Sequence, residues 1–456
     1  MNFKQLRQHW SRLNRQVTRF TWGGAWAASL SAKQRQNLTH FFYDGLFSAA
    51  SDKIILTYMT IYLLTLGVTR QQIGLLSSFS NFLNALLLLP AAFLVEYSGS
   101  RKEITVKSAI ASRTMVLLMA ILPFFLFGTT ALVWIMLALF LLREAANNFG
   151  FPGWMALTGD MIPLEGRGRY FGTRNFIMGL AGIFSALVIG EAITQIGSPI
   201  GYQFAYLLAA VLGGVAIFYF MKLNDPHNDE KPDPQPSEEQ AQEPERFLKD
   251  FLKSLSGIFT SIKGHPHFLN FAIYVAAWNF SINIAAPFFN VYMVDTLYFT
   301  AAMIGVTTVA NTAANMLVQR RVGLLADKWG NRVVTIIFLF LIPLLPFFWG
   351  IWVRQYWHAL VIHTIGGLLW GGFNLVSFNN LLVQTPEAQR ARFSAYYQII
   401  VTLALSGGAA LGSFLIPKID FTGVALTSAA GRWIAAFLFV FLVGRPVKPK
   451  KVRVGD

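Results

Sequence analysis

The sequence predicts an all-α polytopic membrane protein: twelve transmembrane helices in two six-helix, pseudo-symmetric halves, with the N- and C-termini both cytoplasmic. Three observations predict it: the composition, the spacing of apolar runs and an internal repeat. Of 456 residues, 54% are hydrophobic and only 13% charged, and mean hydropathy is +0.49. A soluble chain usually carries about 25% charged residues. Most of this chain must therefore face lipid or a core, which excludes a water-soluble multidomain enzyme and an intrinsically disordered protein. With no cysteine there is no disulfide framework, thiolate metal site or Cys nucleophile. The 7 histidines are scattered without an HExxH or paired Cys/His spacing, so no metal and no cofactor is expected.

A spanning helix needs ~20 apolar residues. Runs of that kind lie at about 39–66, 72–97, 108–128, 131–158, 171–196, 201–222, 267–295, 301–326, 332–352, 356–384, 393–417 and 421–444. Residues 1–38 precede them as a basic cytoplasmic segment, with Trp10, Trp22 and Trp26 but no compact apolar stretch before a small-residue cleavage site, so no cleavable signal peptide is expected. Within it Phe3, Leu6, Trp10, Leu13, Val17 and Phe20 recur every three or four residues, with Lys4, Arg7, Arg12, Arg15 and Arg19 between. That pattern predicts an amphipathic helix lying on an anionic leaflet or on the protein's own cytoplasmic face. Residues 39–222 form the first half. Residues 223–265 follow as a Pro- and acid-rich linker, then a second surface helix striped with Phe247, Phe251, Leu255, Phe259 and Ile262. Residues 266–444 form the second half, and 445–456 a basic cytoplasmic tail.

Orientation follows from Lys and Arg. With the N-terminus placed in the cytoplasm, 30 of the 37 fall in cytoplasmic segments and three (Arg70, Arg354 and Lys418) in the opposite loops. The remaining four (Lys53, Arg113, Arg143 and Arg432) lie within spans. This is a strong positive-inside bias. The net charge of +15 is thereby membrane topology, and no nucleic-acid partner is expected.

The two halves match each other. VEYSGSRK at 95–102 answers LADKWGNR at 325–332, ILPFF at 121–125 answers LLPFF at 344–348, and IPLEGRGRYFG at 162–172 answers TPEAQRARFSA at 385–395. Two parallel repeats with a site at their interface form a transporter architecture.

With these residues in view the chain resembles the major facilitator superfamily (MFS). GLLADKWGNR fits the family's loop signature between spans eight and nine, while the first-half copy has Ala92 for the leading Gly and Glu96 for the Asp. The resemblance covers about 39–444 and implies the MFS fold. It also implies a cytoplasmic gate. Glu96 would reach toward the start of span eleven, after Arg390 and Arg392, and Asp327 toward the start of span five, after Arg167 and Arg169. Arg101 can reach Asp160, and Arg332 is the repeat partner of Arg101. Carboxylates facing helix N-termini and arginines are favoured; the plainer reading is loop charge for topology. Small residues on spans five (Gly182, Ala186, Gly190) and eleven (Ser406, Gly407, Gly408, Gly412) permit close helix approach and are expected to line the surface on which the halves rock.

Ionisable groups deep in a span usually mark function. Span one has Asp52 and Lys53 at its centre and Asp44 two turns nearer the cytoplasm; span four has Arg143 and Glu144. Asp52, Lys53, Arg143 and Glu144 predict a buried Asp–Arg and Lys–Glu cluster, with at least one member turned toward a neighbouring helix, since adjacent residues diverge on a helix. The functional reading is cation coupling, with Asp52 or Glu144 loading a proton outside and releasing it inside; H⁺ is expected over Na⁺. The alternative is a permanent ion pair joining spans one and four. Arg113 is expected near the start of span three, snorkelling to the interface. Arg432 has no partner that sequence can name, and His363 reads as a packing residue. The second half offers aromatic and amide groups instead, and Trp278, Asn279, Asn283, Asn311, Trp370 and Asn374 are the expected substrate cavity.

The reading is a proton-coupled secondary transporter of a small organic solute, a monomer in the cytoplasmic (inner) membrane working by alternating access. Its partners are the small-molecule substrate and the lipid bilayer. The alternatives are a multidrug/H⁺ antiporter, against which span five has no proline, and a transporter of a lipid-linked substrate, which requires an apolar lateral opening. An enzyme is not expected, because no nucleophile–base set or metal motif is present. A channel is disfavoured by the repeat.

Overall fold

The computed structural model describes residues 26, 30–98, 101–163, 166–224, 262–385 and 390–443. The amphipathic helix expected within 1–38, almost all of the 223–265 linker and the 445–456 tail lie outside the described residues. So do the side chains of Glu96, Arg390 and Arg392.

Every described element is helical. In the first half these are α1 (Ala32–Thr65), α2 (Arg70–Ser98), α3 (Arg101–Ile121), α4 (Pro123–Leu126), α5 (Thr130–Met161), α6 (Arg167–Ile196) and α7 (Ile200–Met221). In the second they are α8 (Pro266–Ala285), α9 (Phe288–Asp295), α10 (Ala301–Trp329), α11 (Asn331–Leu341), α12 (Leu344–Ile351), α13 (Tyr356–Gln384) and α14 (Arg390–Leu442). Local chemistry sets several boundaries. Ser31 starts α1 seven residues before the expected span, in a capping box: its hydroxyl accepts from Gln34 N at 3.2 Å, and the Gln34 side chain accepts from Ser31 N at 3.0 Å. Thr129 caps α5 through Leu132 N. Pro123, Pro287 and Pro343 stand at the breaks that separate α3 from α4, α8 from α9 and α11 from α12, where a residue without an N–H cannot continue the ladder.

Among the described residues, nine segments are long and apolar enough to cross a membrane. Two long helices fall outside that number: α1, with 34 residues and Asp44, Asp52 and Lys53 in its length, and α2, with 29. One of the nine, Phe393–Leu442, runs for 50 residues but leaves helical geometry at Asp420 (φ 51°, ψ −177°). Large apolar side chains such as Phe125, Trp134, Phe184, Leu317 and Phe441 stand exposed on these helices. A protein in water keeps such patches small; in a bilayer they face lipid.

The chain divides into two compact units, Met1–Thr69 with Leu86–Asp233 and Tyr298–Val309, and Arg70–Ala85 with Pro234–Leu297 and Ala310–Asp456. In the first, α1 packs on α6 and α7, and α3 packs on α5 and α7. Tyrosines tie these helices together: Tyr62 donates to Met119 O at 2.9 Å and Tyr206 to Ile55 O at 3.3 Å, with Tyr62 stacked on Tyr202. Leu38, Phe41, Leu157, Met161, Tyr170 and Phe220 form a second core, against which Trp154 and Trp26 pack. In the second unit α8 lies along α14 over much of its length. Contact there is close because Gly408 and Gly412 face the carbonyls of Phe280 and Ile284, leaving no room for a Cβ.

Of the small residues on span eleven, Gly407, Gly408 and Gly412 pack on α8, while Ser406 O accepts from Ser78 of α2 at 2.9 Å. In the first unit Gly182 meets the stem of Lys53, Ala186 O accepts the Tyr58 hydroxyl, and Gly190 faces Tyr58 and the opening of α10.

Candidate functional site

Asp44, Ser48 and Asp52 recur every four residues on α1 and so share one face. That face looks into a cavity of about 400 Å³ inside the first unit, walled also by α3, α5, α6 and α7. Its polar lining includes Asp44, Asp52, Arg113, Asn147, Arg174 and Asn175, with Trp154 among the apolar part.

Asp52 is the hub. Its Oδ1 accepts from Arg113 Nη1 at 2.7 Å and from Arg143 Nη2 at 3.2 Å. The carboxylate side chain stays 35% exposed, whereas Arg113 and Arg143 are 11% and 2% exposed. Arg113 Nη1 also donates to Ser51 Oγ, which in turn donates to Ala209 O at 2.7 Å, so α3, α1 and α7 are joined by one chain of bonds. Arg143 pairs a second time with its neighbour Glu144. Lys53 does not face this cluster: its aliphatic stem runs toward Gly182 of α6, the divergence that adjacent positions on a helix impose.

A second group lies two turns away. Arg174 Nη2 stands 3.8 Å from Asp44 Oδ2, its Nε donates to Phe41 O at 3.2 Å, and its guanidinium sits 3.9 Å above the Phe41 ring. Gly45 makes space for that guanidinium; an added Cβ would collide with it.

Two of these residues were placed differently by sequence. Arg113 does not snorkel but turns inward onto Asp52. Arg174, counted among cytoplasmic charges, is buried at 4% exposure. The signal that could have found it is its spacing: Tyr170 and Arg174 lie one turn apart on α6, and both bond carbonyls of α1, Tyr170 to Leu38 and Arg174 to Phe41.

Trp278 is buried against Phe373 and Trp370. Asn279 donates to Val275 O, Asn283 to Leu405 O, and Asn311 to His363 O, so three of the amides satisfy backbone carbonyls. Asn374 is exposed. His363 packs edge-on against Trp349. Arg432 is buried and donates to Ile282 O at 3.2 Å.

At the loop motifs Arg101 Nη1 donates to Asp160 Oδ2 at 2.5 Å. Arg167 donates to Gly159 O and Ile162 O, closing its own loop, and Arg169 is exposed. Arg332 caps the end of α14 through Val440 O and Val443 O, and Asp327 is exposed on α10. Among the described residues no group of three His, Cys, Asp or Glu could hold a metal.

The fold resembles that of solved transporters. A mutant of the nucleoside transporter NupG superposes with a TM-score of 0.68 at 14% identity, covering 89% of this chain and 100% of that one. A peptide transporter POT mutant in complex with alafosfalin gives 0.66 at 13%, covering 95% and 99%. A POT family transporter in complex with 5-aminolevulinic acid gives 0.64 at 12%, covering 88% and 95%. At such identities the likeness is one of fold. No curated protein matches the sequence. The Major Facilitator Superfamily profile, however, matches residues 45–406 and 279–455. That agreement of profile and fold extends well beyond the loop signature, and the chain is a member of the Major Facilitator Superfamily, an integral membrane protein with a transporter fold.

Proposed function

We propose that this protein is a secondary active transporter that moves a small organic solute across the cytoplasmic membrane by alternating access, coupled to protons. On this reading α1, α2 and the two arms of α14 join the other apolar segments to make twelve spans, with both termini cytoplasmic. The observation that carries it is the Asp52 carboxylate on a cavity wall, shared by two arginines from different helices. Ion pairs buried in this way contribute little to stability by themselves, and charges at membrane depth usually serve transport.

The chemistry follows from the geometry. A proton added to Asp52 removes the charge that holds Arg113 and Arg143, so their donors become available to a solute or to water. Loss of the proton restores both bonds and returns the solute site to its resting state. Binding of proton and solute are thus linked through one carboxylate, and Glu144 holds Arg143 in place during the exchange. The fold relatives named for nucleosides and peptides support an organic cargo at the level of fold only.

The test uses the reconstituted protein with a pH dye inside the vesicles and a panel of nucleosides, dipeptides, sugars and organic acids outside. Solute-dependent proton entry is expected for one class. Asp52→Asn should abolish uphill accumulation and spare solute exchange. Normal accumulation by that variant would remove Asp52 from coupling.

A further inference from the structure

We infer that the carried solute is an amphiphilic organic anion drawn from the bilayer, its acidic head in the first-unit cavity against Arg113 and Arg174 and its hydrocarbon chain in a groove between α3 and α7. The inference rests on the transport reading and names the substrate class of the same site.

The groove is a second space of about 360 Å³. Ile110, Thr114 and Leu117 of α3 and Val211, Gly214, Ile217 and Met221 of α7 line it, apolar but for Thr114, whose hydroxyl is spent on Ile110 O. At 1.5 Å per residue these positions run ~10 Å along α3 and ~15 Å along α7, the scale of an alkyl chain. Ile110, Leu117, Val211 and Met221 are exposed on these membrane helices, so the groove opens on the lipid face. At Gly214 an added Cβ would meet nothing within 4 Å, which leaves this part of the groove empty of side chains.

What separates this groove from an ordinary cleft between lipid-facing helices is its inner wall. Arg113 and Ile217 line both the groove and the charged cavity. A guanidinium bordering hydrocarbon is costly, and a cleft that served only to pack lipid would not keep one there. A polar solute, conversely, would have no use for the apolar arm.

Charge decides the head group. With Lys53 turned toward α6, the cluster sets Arg113, Arg143 and Arg174 against Asp44, Asp52 and Glu144, a balance that becomes an excess of one positive charge when Asp52 takes a proton. Arg174 is 4% exposed and lines the cavity, yet Asp44 stands beyond hydrogen-bond distance at 3.8 Å and only its Nε is spent, on Phe41 O. Its terminal nitrogens, with those of Arg113 not used on Ser51 and Asp52, are donors suited to a carboxylate or phosphate. A cationic head would find no free carboxylate once Asp52 holds its proton, and would face the guanidinium donors of Arg113 and Arg174.

The experiment titrates the full-length protein in lipid nanodiscs, against protein-free discs, with acetate, octanoate, dodecanoate and dodecylammonium. Dodecanoate should bind at least tenfold more tightly than acetate, with octanoate between them and dodecylammonium weaker than dodecanoate. Gly214→Phe, which fills the groove, should bring dodecanoate to within twofold of acetate; Val211→Trp reads the same space should the first variant not fold. Arg174→Gln should weaken dodecanoate at least tenfold. Lysophosphatidate built into the disc should displace dodecanoate. Affinity independent of chain length, or equal affinity for dodecylammonium, would overturn the assignment, and failure of lysophosphatidate to compete would overturn the bilayer source. Solute-coupled proton entry without chain-length-dependent binding removes this inference and leaves the transport reading. Chain-length-dependent binding with no exchange leaves an amphiphile-binding site and removes the transport reading, and with it the claim that the bound anion is carried.

Discussion

Two adjacent glycines on α7 respond in opposite ways to one added methyl group. At Gly213 a Cβ would lie 2.5 Å from Arg113 Cδ and 2.6 Å from its Nε. Arg113 cannot easily yield, because Ser51 and Asp52 hold its guanidinium. Gly213→Ala should therefore destabilise the protein by about 1–3 kcal/mol, as overpacking does, and pull Arg113 off Asp52. At Gly214 the same methyl group meets open space, so Gly214→Ala should stabilise the helix by about 0.5–1 kcal/mol. Thermal unfolding of the two variants in one detergent checks the sign of each. The contrast also indicates what sequence can and cannot reveal about the site. Asp52 and Arg143 stand out because charges interrupt long apolar runs. Arg174 lies two turns into α6, and the apolar run that marks span three begins only at about 108 although α3 starts at Arg101, so in sequence either arginine can reach water or turn inward. Only the helices packed alongside decide, and here they supply Asp52, Phe41 and a pair of bare glycines at positions 45 and 213.

At the scale of elements, α14 contains a fault that stability measurements can read. Asp420 sits at φ 51° and ψ −177°, a region reserved almost wholly for glycine and costing of order 1–3 kcal/mol for other residues. It joins two helical arms, 390–419 and 421–442, and the second arm is anchored by Phe421, stacked 4.1 Å from Tyr292 of α9. Asp420→Gly should relieve the strain and raise the melting temperature, less the ~0.5–1 kcal/mol that glycine costs in chain entropy. Asp420→Ala should give no gain, since alanine keeps the Cβ that conflicts with the backbone. The turn itself was legible: Lys418 and Asp420 interrupt the apolar pattern between runs ending at 417 and resuming at 421. Apolar runs located the remaining helices in the same way, because a bilayer admits little else. The breaks at Pro123, Pro287 and Pro343 were less visible, since a proline in an apolar run marks either a kink or an end until the packing around it is known. Which helix faces which was not legible. Small residues on span eleven promise close contact without naming the partner, and α8 takes the glycines while α2 meets Ser406.

Across the whole molecule, neither compact unit is a continuous stretch of sequence. Arg70–Ala85, the start of α2, belongs with the second unit, and Tyr298–Val309, the start of α10, with the first. The α2 segment is bound there at every turn. Arg70 pairs with Asp295 at 2.9 Å, Gln71 O accepts from Ser413 at 2.7 Å, Gly74 takes the Phe288 ring, and Ser78 donates to Ser406 O at 2.9 Å. Arg70 and Asp295 are both partly exposed, so their pair is worth at most ~1 kcal/mol. The holding force comes from several such contacts acting together. If the protein works by alternating access, this segment must part from α14 once per cycle, because a two-state carrier cannot keep the same seal in both states. The Ser78 and Ser406 hydroxyls are 3.3 Å apart, close enough for cysteines there to form a disulfide with small side-chain adjustment. The chain has no cysteine, so Ser78→Cys with Ser406→Cys introduces the only pair. Oxidation should cross-link it and reduce transport in vesicles at least tenfold. Reducing agent should restore transport, and each single variant should be insensitive to oxidant. Transport that continues at full rate through a verified cross-link would mean that α2 and α14 stay together throughout, and the conformational cycle would have to be assigned to other helices.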